Sequence, residues 1–145
     1  MNYLIDTNLL VRAVDRKDPE CRTARDVLKK LIGNQDALYI LPQITAEFWV
    51  VCTRARKKNG LGYTPARVRR YITRFESFFF LVLETEDVYR EWNQLVSTHS
   101  ITGPEAHDTR IVAAMNVHGI ENIVSFNVDD FAGYDSIRVI HPQQV

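Results

Sequence analysis

Five short apolar runs alternate with longer amphipathic stretches along this chain. The runs are Tyr3 to Ile5, Leu38 to Leu41, Phe78 to Leu83, Ile123 to Phe126 and Ile137 to Ile140. Each run has the length and composition of a buried β-strand. Strands that alternate with helices predict an α/β domain, with a largely parallel sheet of about five strands that helices cover on both faces. In such a sheet, ligands bind beyond the carboxyl ends of the strands.

Proline and glycine residues mark the ends of the predicted helices. A capping residue followed by proline predicts a helix with proline at its first position, and a glycine suits the residue after a helix end. The predicted starts are Asp18-Pro19, Thr64-Pro65 and Gly103-Pro104, and the predicted stops are Gly33, Gly60 and Gly119.

Length and composition exclude several classes of protein. A length of 145 residues without repeats or linkers predicts a single domain spanning residues 1–145. The formal net charge is zero, so any nucleic-acid binding needs a local basic patch. Cys21 and Cys52 are too few for a disulfide framework or a thiolate metal site. No apolar run is long enough to span a bilayer and no secretory signal is present, so we expect a cytoplasmic protein.

Asp6 and Glu47 are acidic residues at positions where the pattern predicts burial. Asp6 directly follows the first apolar run and therefore emerges at the carboxyl end of a strand, although it can equally cap a helix over Asn8 to Val14. Glu47 lies on the apolar stripe of a helix predicted from Gln43 to Lys58. A buried carboxylate is costly, so Glu47 needs either a basic partner or a functional site. The other members of its stripe are Ile44, Phe48, Val51 and Ala55.

Two later segments repeat this anomaly. Asp108 extends the inward stripe of a helix predicted from Pro104 to His118, although the helix macrodipole also favours an acid near a helix start. The loop Asn127 to Asp130 ends the fourth apolar run with one carboxamide and two carboxylates, which are also common turn residues. The inward stripe that contains Asp108 consists of Ile111, Val112 and Met115.

Asp6, Glu47, Asp108 and the Asn127 to Asp130 loop therefore converge on one end of the predicted sheet. Two carboxylates about 4 Å apart repel each other by roughly 4 kcal/mol at an effective dielectric constant near 20, so a cation is expected among them. Oxygen ligands without His or Cys favour Mg²⁺ or Mn²⁺ over zinc. A divalent ion ringed by acids at this edge indicates phosphate chemistry.

Four motifs occur in order along nearly the whole chain: LIDTN (Leu4 to Asn8), ITAEFW (Ile44 to Trp49), AHDTRIVAAM (Ala106 to Met115) and SFNVDDF (Ser125 to Phe131). With these motifs the sequence resembles the PIN-domain superfamily, and within it the VapC-type ribonuclease toxins of bacterial and archaeal toxin–antitoxin pairs. The resemblance implies a PIN-like three-layer domain and a divalent-metal-dependent endoribonuclease. It also implies an RNA substrate, a homodimer, and an antitoxin whose C-terminal segment covers the acidic pocket.

The resemblance also implies roles for individual residues. Asp6, Glu47 and Asp108 would bind one or two Mg²⁺ or Mn²⁺ ions, with Asp6 and Asp108 as the most direct ligands. Asp130 matches the acid before the closing phenylalanine and is the candidate for a fourth catalytic acid. Thr7 and Asn127 would position the site. Glu47 or the loop acid would orient or deprotonate the attacking water.

Basic residues are concentrated between Arg54 and Arg74. This segment holds eight of the eighteen basic residues and no acidic residue. Such a segment is expected to contact a phosphate backbone, although a solvated helical face has the same composition. The candidate RNA-binding residues are Arg54, Arg67, Arg69 and Arg70, and Tyr63 and Tyr71 are candidates for base stacking.

Two other functions fit parts of the pattern. An aspartyl-phosphate phosphoryl-transfer domain also has an aspartate beyond its first strand, but it needs a lysine late in the sheet, and no lysine follows Lys58. A non-catalytic RNA-binding PIN-like module would retain the fold without turnover. The complete set of acids argues against that second reading.

Overall fold

The structure is a computed structural model that describes residues 1–145, with five strands and six α-helices. In chain order they are β1 (Asn2–Ile5), α1 (Thr7–Val14), α2 (Cys21–Gly33), β2 (Ala37–Ile40), α3 (Pro42–Thr53), α4 (Pro65–Glu76), β3 (Phe80–Leu81), α5 (Glu86–Thr98), α6 (Glu105–His118), β4 (Asn122–Val124) and β5 (Arg138–Ile140). Short 3-10 turns cover Arg56–Lys58, Val128–Phe131 and Pro142–Gln144.

All five strands are parallel and form one sheet with the order β3-β2-β1-β4-β5. The predicted α/β class and parallel sheet are therefore confirmed, and helices on both sides make three layers. Strand β1 is central, and Ile5 at its end is in register with Val124 at the end of β4. The residues that follow these two strands, Asp6 and Ser125, consequently emerge side by side at the carboxyl edge.

Most side chains at the centre of the sheet are apolar because helices cover both of its faces, with the buried Asn122 of β4 as an exception. Leu4, Ile5, Ile123 and Val124 are all completely buried, and they belong to one cluster of 33 buried apolar residues. Burial of both alternating sets of side chains explains why these strands appear in the sequence as continuous apolar runs. The core thus holds rigid the edge from which Asp6 projects.

Strand β3 differs from the predicted buried strand over Phe78 to Leu83. Only two residues pair with β2, and both Phe80 and Leu81 are exposed, at 62% and 50%. The flanking residues Phe79 and Val82 are buried. The prediction was wrong here because β3 is an edge strand, so its apolar composition does not come from burial on both faces.

Helix α3 is shorter than the predicted helix from Gln43 to Lys58. It ends at Thr53, and the chain then turns back so that Leu61 and Tyr63 donate their backbone N–H groups to the carbonyls of Val51 and Cys52. Ala55 is consequently exposed and Cys52 is fully buried, so the predicted stripe is correct only in its first part.

Four predicted helix boundaries differ from the structure. Asp18 accepts a hydrogen bond from the Glu20 N–H within a turn, and α2 therefore begins at Cys21 instead of Pro19. Pro104 is the N-cap of α6 instead of its first residue. Gly60 does not end a helix, and Gly33 is the last residue of α2. Thr64-Pro65 and Gly119 behave as predicted.

None of the six helices combines the length and apolar character needed to cross a membrane. Cys21 and Cys52 are both buried free thiols.

Candidate functional site at the carboxyl edge of the sheet

Asp6 connects β1 to α1 and is almost completely buried. Its Oδ1 accepts a hydrogen bond from the Thr7 N–H at 2.7 Å, so the carboxylate caps α1 as expected. Its Oδ2 accepts hydrogen bonds from Ser125 Oγ at 2.6 Å and from Asn8 Nδ2 at 2.8 Å. Asp6 can therefore cap α1 and also take part in the acidic edge, because each oxygen of its carboxylate has its own donors.

Ser125 and Asn8 are two site residues to which sequence analysis gave no role. Ser125 Oγ donates to Asp6 and accepts hydrogen bonds from Asn8 Nδ2 and the Asn127 N–H, both at 3.0 Å. Asn8 Oδ1 accepts from the Phe126 N–H at 3.0 Å. These bonds fasten the loop after β4 to the loop after β1. Their positions in the sequence could have indicated this role, because Ser125 comes one residue after β4 and Asn8 comes three residues after β1, the two strands at the centre of the sheet.

Glu47 projects from α3 toward the same edge, and its partners are a hydroxyl and an amide. Glu47 Oε2 accepts from Thr7 Oγ1 at 2.8 Å, and Glu47 Oε1 accepts from Gln43 Nε2 at 2.9 Å. No arginine or lysine forms an ion pair with Glu47. Of the two explanations expected for this carboxylate, a basic partner is therefore excluded, and a functional site stays a prediction.

Gln43 links Glu47 to α6. Its Nε2 donates both to Glu47 and to the His107 carbonyl oxygen at 3.1 Å, next to Asp108 in the chain. The side-chain oxygen of Gln43 is buried without a hydrogen-bond donor. The opposite orientation of the amide would place its oxygen against a carboxylate and a carbonyl, so the two acceptors fix the amide as described.

The acids at this edge are close enough to perturb one another. Burial, together with the negative charges of Glu47 and Asp130, raises the pKa of Asp6 to about 6, against the lowering effect of the hydrogen bonds from Ser125 and Thr7. Burial also raises the pKa of Asp108 to about 6, and Asp130, Asp6 and Glu47 contribute in the same direction. All four predicted catalytic acids therefore share one electrostatic environment, although Asp130 itself lies exposed in a 3-10 turn.

The composition of this edge fits a hard divalent cation. The donors are carboxylate, hydroxyl and carboxamide oxygens, which suit Mg²⁺ or Mn²⁺. A cation would also offset the burial and mutual repulsion that raise the pKa values of Asp6 and Asp108. No three His, Cys, Asp or Glu side chains are spaced as ligands of one ion in this conformation. The acids instead accept hydrogen bonds from separate donors, so ion binding requires side-chain movements.

The remaining predicted residues have different environments. Thr7 contacts Glu47, whereas the side chain of Asn127 is exposed and only its backbone N–H reaches Ser125. Arg54 donates to the Asn59 carbonyl at 3.1 Å and lies outside α4. The other candidate RNA-binding residues, Arg67, Arg69 and Arg70, are on α4.

Known structures share this fold. VapBC2 of Rickettsia felis, bound to a promoter DNA fragment, has a TM-score of 0.71 at 16% identity over 97% of this chain and 98% of that chain. VapBC-1 of nontypeable Haemophilus influenzae has a TM-score of 0.70 at 14% identity over 99% of both chains. VapC20 of Mycobacterium tuberculosis, described as a sarcin-ricin loop cleaving toxin, has a TM-score of 0.64 at 18% identity over 94% of this chain and 98% of that chain.

At these identities the likeness establishes the fold alone, and no curated protein matches the sequence. The sequence itself carries the family signal, because a family model described as the PIN domain matches residues 3–136. This chain therefore belongs to the PIN domain family.

Proposed function

We propose that this protein is a divalent-metal-dependent ribonuclease that hydrolyses RNA phosphodiester bonds as the toxin of a toxin–antitoxin pair. The observation that carries the proposal is the set of acids Asp6, Glu47, Asp108 and Asp130: burial raises the pKa values of Asp6 and Asp108, and charges within the set add to that rise. Structural ion pairs would place a basic residue in such a cluster, and Glu47 has none. An acidic cluster without cations of its own suits a divalent ion.

Each site residue has a defined task in this mechanism. Asp6, Glu47 and Asp108 would hold Mg²⁺ or Mn²⁺, which supplies an activated water and neutralises charge on the phosphate and the leaving oxygen. Glu47 accepts hydrogen bonds from Thr7 and Gln43 on separate oxygens, which keeps its carboxylate oriented. Glu47 or Asp130 would receive the proton of the attacking water. Ser125 keeps Asp6 in place and so acts through it.

The family supports RNA as the substrate. A structural relative, VapC20, is described as a toxin that cleaves the sarcin-ricin loop. Others are toxin–antitoxin complexes, including one from Klebsiella pneumoniae, which supports a cognate antitoxin as the partner of this chain. The aspartyl-phosphate alternative lacks support, because no lysine contacts Asp6.

A homodimer in the cytoplasm is part of the same proposal. Four apolar residues around β3 are between 47% and 62% exposed, a concentration that favours a protein contact at this sheet edge. They are Phe78, Phe80, Leu81 and Leu83.

The direct test is cleavage of labelled RNA by the purified protein with Mn²⁺ or Mg²⁺, compared with EDTA. We expect cleavage only with metal, and we expect Asp6→Asn and Asp108→Asn each to reduce it by more than about 100-fold. Asp26→Asn is the matched control, because Asp26 is an exposed acid of α2 that pairs only with Arg22.

Full cleavage by both site variants would refute the assignment of the site. RNA binding without turnover under any metal condition would instead establish the non-catalytic module as the function.

A further inference from the structure

Three arginines on one face of α4 have no acidic partner. Arg67, Arg70 and Arg74 are spaced by three and four residues, which aligns them along one side of the helix. They line a surface cavity of about 510 Å³ together with Tyr71 and Ser77. None of them belongs to an ion pair. We refer to these three residues as the α4 arginine face.

Arg67 is held in place before any ligand arrives. Its guanidinium carbon lies 3.6 Å from the centre of the Tyr63 ring and 5.9 Å from that of Tyr71. Its Nη2 also donates to the Tyr71 hydroxyl at 3.4 Å. Tyr63 in turn donates its hydroxyl proton to the Val14 carbonyl at 2.8 Å, which anchors the ring to α1. A fixed guanidinium loses less conformational freedom on binding an anion.

A second basic cavity shows why the α4 arginine face differs from an ordinary charged surface. Arg16, Arg22 and Lys29 line a cavity of about 520 Å³ beside α2. That cavity also contains Asp18 and Asp26, and Arg22 pairs with Asp26 at 3.7 Å. With Arg25 the cavity has four basic residues, and its two acids offset part of their charge. On α4 the repulsion between like charges is not offset by the protein, which indicates an external anion.

The α4 arginine face also lies on a helix that packs against α3, the helix that carries Glu47. Phe75, next to Arg74, contacts Phe48, next to Glu47, edge-to-face at 5.3 Å between ring centres. Tyr63, under Arg67, is anchored at Val14, which lies eight residues along α1 from Asp6, or about 12 Å of helix. A polymer bound at the acids therefore needs several nucleotides to reach Arg67 as well. Arg67 and Arg74 are separated by about 10 Å along the helix axis, which spans more than one backbone phosphate.

We propose that the α4 arginine face binds backbone phosphates of the RNA strand whose cleavage site lies at the acidic edge. This inference rests on the proposed function. Guanidinium groups match phosphate oxygens in two-point hydrogen bonds, and the partly exposed rings of Tyr63 and Tyr71 offer stacking surfaces for bases. RNA therefore fits the face better than an acidic peptide does. The proposal adds Arg74 to the predicted RNA-binding residues, whereas Arg54 and Arg69 lie outside this cavity.

The test measures binding of a fluorescent single-stranded RNA of about 20 nucleotides in EDTA, so that no cleavage occurs. Affinity is followed from about 50 to about 200 mM KCl for the wild type and for Arg67→Gln/Arg70→Gln/Arg74→Gln. We expect the triple variant to reduce the slope of log K against log salt by about 2, because each phosphate contact to a single strand contributes about 0.7. Arg70→Gln/Arg74→Gln leaves the Tyr63 packing intact and should reduce the slope by about 1.4.

The matched control is Arg16→Gln/Arg22→Gln/Lys29→Gln, which removes the same number of charges from the α2 cavity. We expect its slope to remain within experimental error of the wild type. An equal loss of slope in both triple variants would overturn the proposal, because only net charge would then matter. Equal competition by a decaglutamate peptide would also overturn it, in favour of an acidic protein ligand.

The outcomes separate this inference from the proposed function. Suppose that the wild type cleaves RNA in a metal-dependent way and the α4 variants retain the full salt slope. The proposed function would then stand, and the α4 arginine face would be rejected as an RNA-binding surface. A slope that falls as expected in a protein that never cleaves RNA would support the face and reject the ribonuclease. Thermal melts of every variant check that the fold is retained.

Discussion

At the scale of single residues, the acidic edge is organised by side chains that are not themselves acidic. Asp6 is held by Ser125 and Asn8, and Glu47 is held by Thr7 and Gln43. Such donors fix the direction of a carboxylate and thereby tune its affinity for a metal.

Gln43 provides the sharpest test of this arrangement. We expect Gln43→Met, which preserves side-chain length and removes both hydrogen bonds to Glu47 and His107, to weaken Mn²⁺ binding by roughly 10- to 100-fold. The reason is that Glu47 would lose its link to α6 and spend less time oriented toward Asp108. Isothermal titration with Mn²⁺ measures the effect without turnover.

Thr45→Val is the control for Gln43→Met, because Thr45 lies on the same helix and bonds only the Leu41 carbonyl. An unchanged Mn²⁺ affinity in Gln43→Met would show that Gln43 serves only the packing of α3 against α6.

At the scale of elements, the turn after α3 depends on a close backbone approach at Gly60. A Cβ atom at this position would lie 1.9 Å from the Arg54 carbonyl oxygen, a distance that no packing adjustment of a side chain can relieve. The turn carries the backbone hydrogen bonds from Leu61 and Tyr63 to the end of α3. Gly60 therefore sets the path by which the chain enters α4.

We expect Gly60→Ala to lower the free energy of unfolding by about 2–3 kcal/mol, because backbone must move to accommodate the methyl group. Urea denaturation followed by circular dichroism measures the change. Gly133→Ala is the matched control, since nothing lies within 4 Å of a Cβ there, and it should change stability by less than about 0.5 kcal/mol. Similar stability of the two variants would contradict the close approach.

Sequence periodicity predicted the most buried elements most accurately. The central strands β1 and β4 are buried on both faces, and their apolar runs identified them directly. Two elements escaped the pattern for physical reasons. The edge strand β3 is apolar but exposed, and α3 ends early because of the backbone turn at Gly60, which no side-chain period encodes.

At the scale of the whole molecule, the sheet brings together residues far apart in the sequence. Inward-facing acids can be recognised one element at a time, and this is why the sequence predicts that Asp6, Glu47 and Asp108 lie at one edge of the sheet. The hydrogen bond between Ser125 and Asp6 spans 119 positions, and the one between Gln43 and His107 spans 64. Polar contacts of this kind depend on strand order and side-chain direction, neither of which periodicity specifies.

The convergence of acids also makes the stability of the whole molecule depend on pH and metal. The pKa values of Asp6 and Asp108 are raised to about 6 in the folded protein, from 3.8. Between these values the folded state holds protons that the unfolded state has lost, so stability falls as pH rises toward 6 and remains reduced above it. For Asp6 alone this amounts to roughly 3 kcal/mol.

We therefore expect Mg²⁺ to raise the melting temperature by about 5 °C or more at pH 7.5, where it offsets ionised carboxylates, and by much less at pH 5, where protons already do so. Thermal melts in EDTA and in Mg²⁺ at both pH values measure the difference. In Asp6→Asn, residue 6 no longer titrates, so the effect of Mg²⁺ at pH 7.5 should shrink. At carboxylates that titrate near pH 6, Mg²⁺ and protons compete for the same oxygens, so the effect of Mg²⁺ must depend on pH. A Mg²⁺ effect of equal size at pH 5 and pH 7.5 would therefore place the ion elsewhere on the protein.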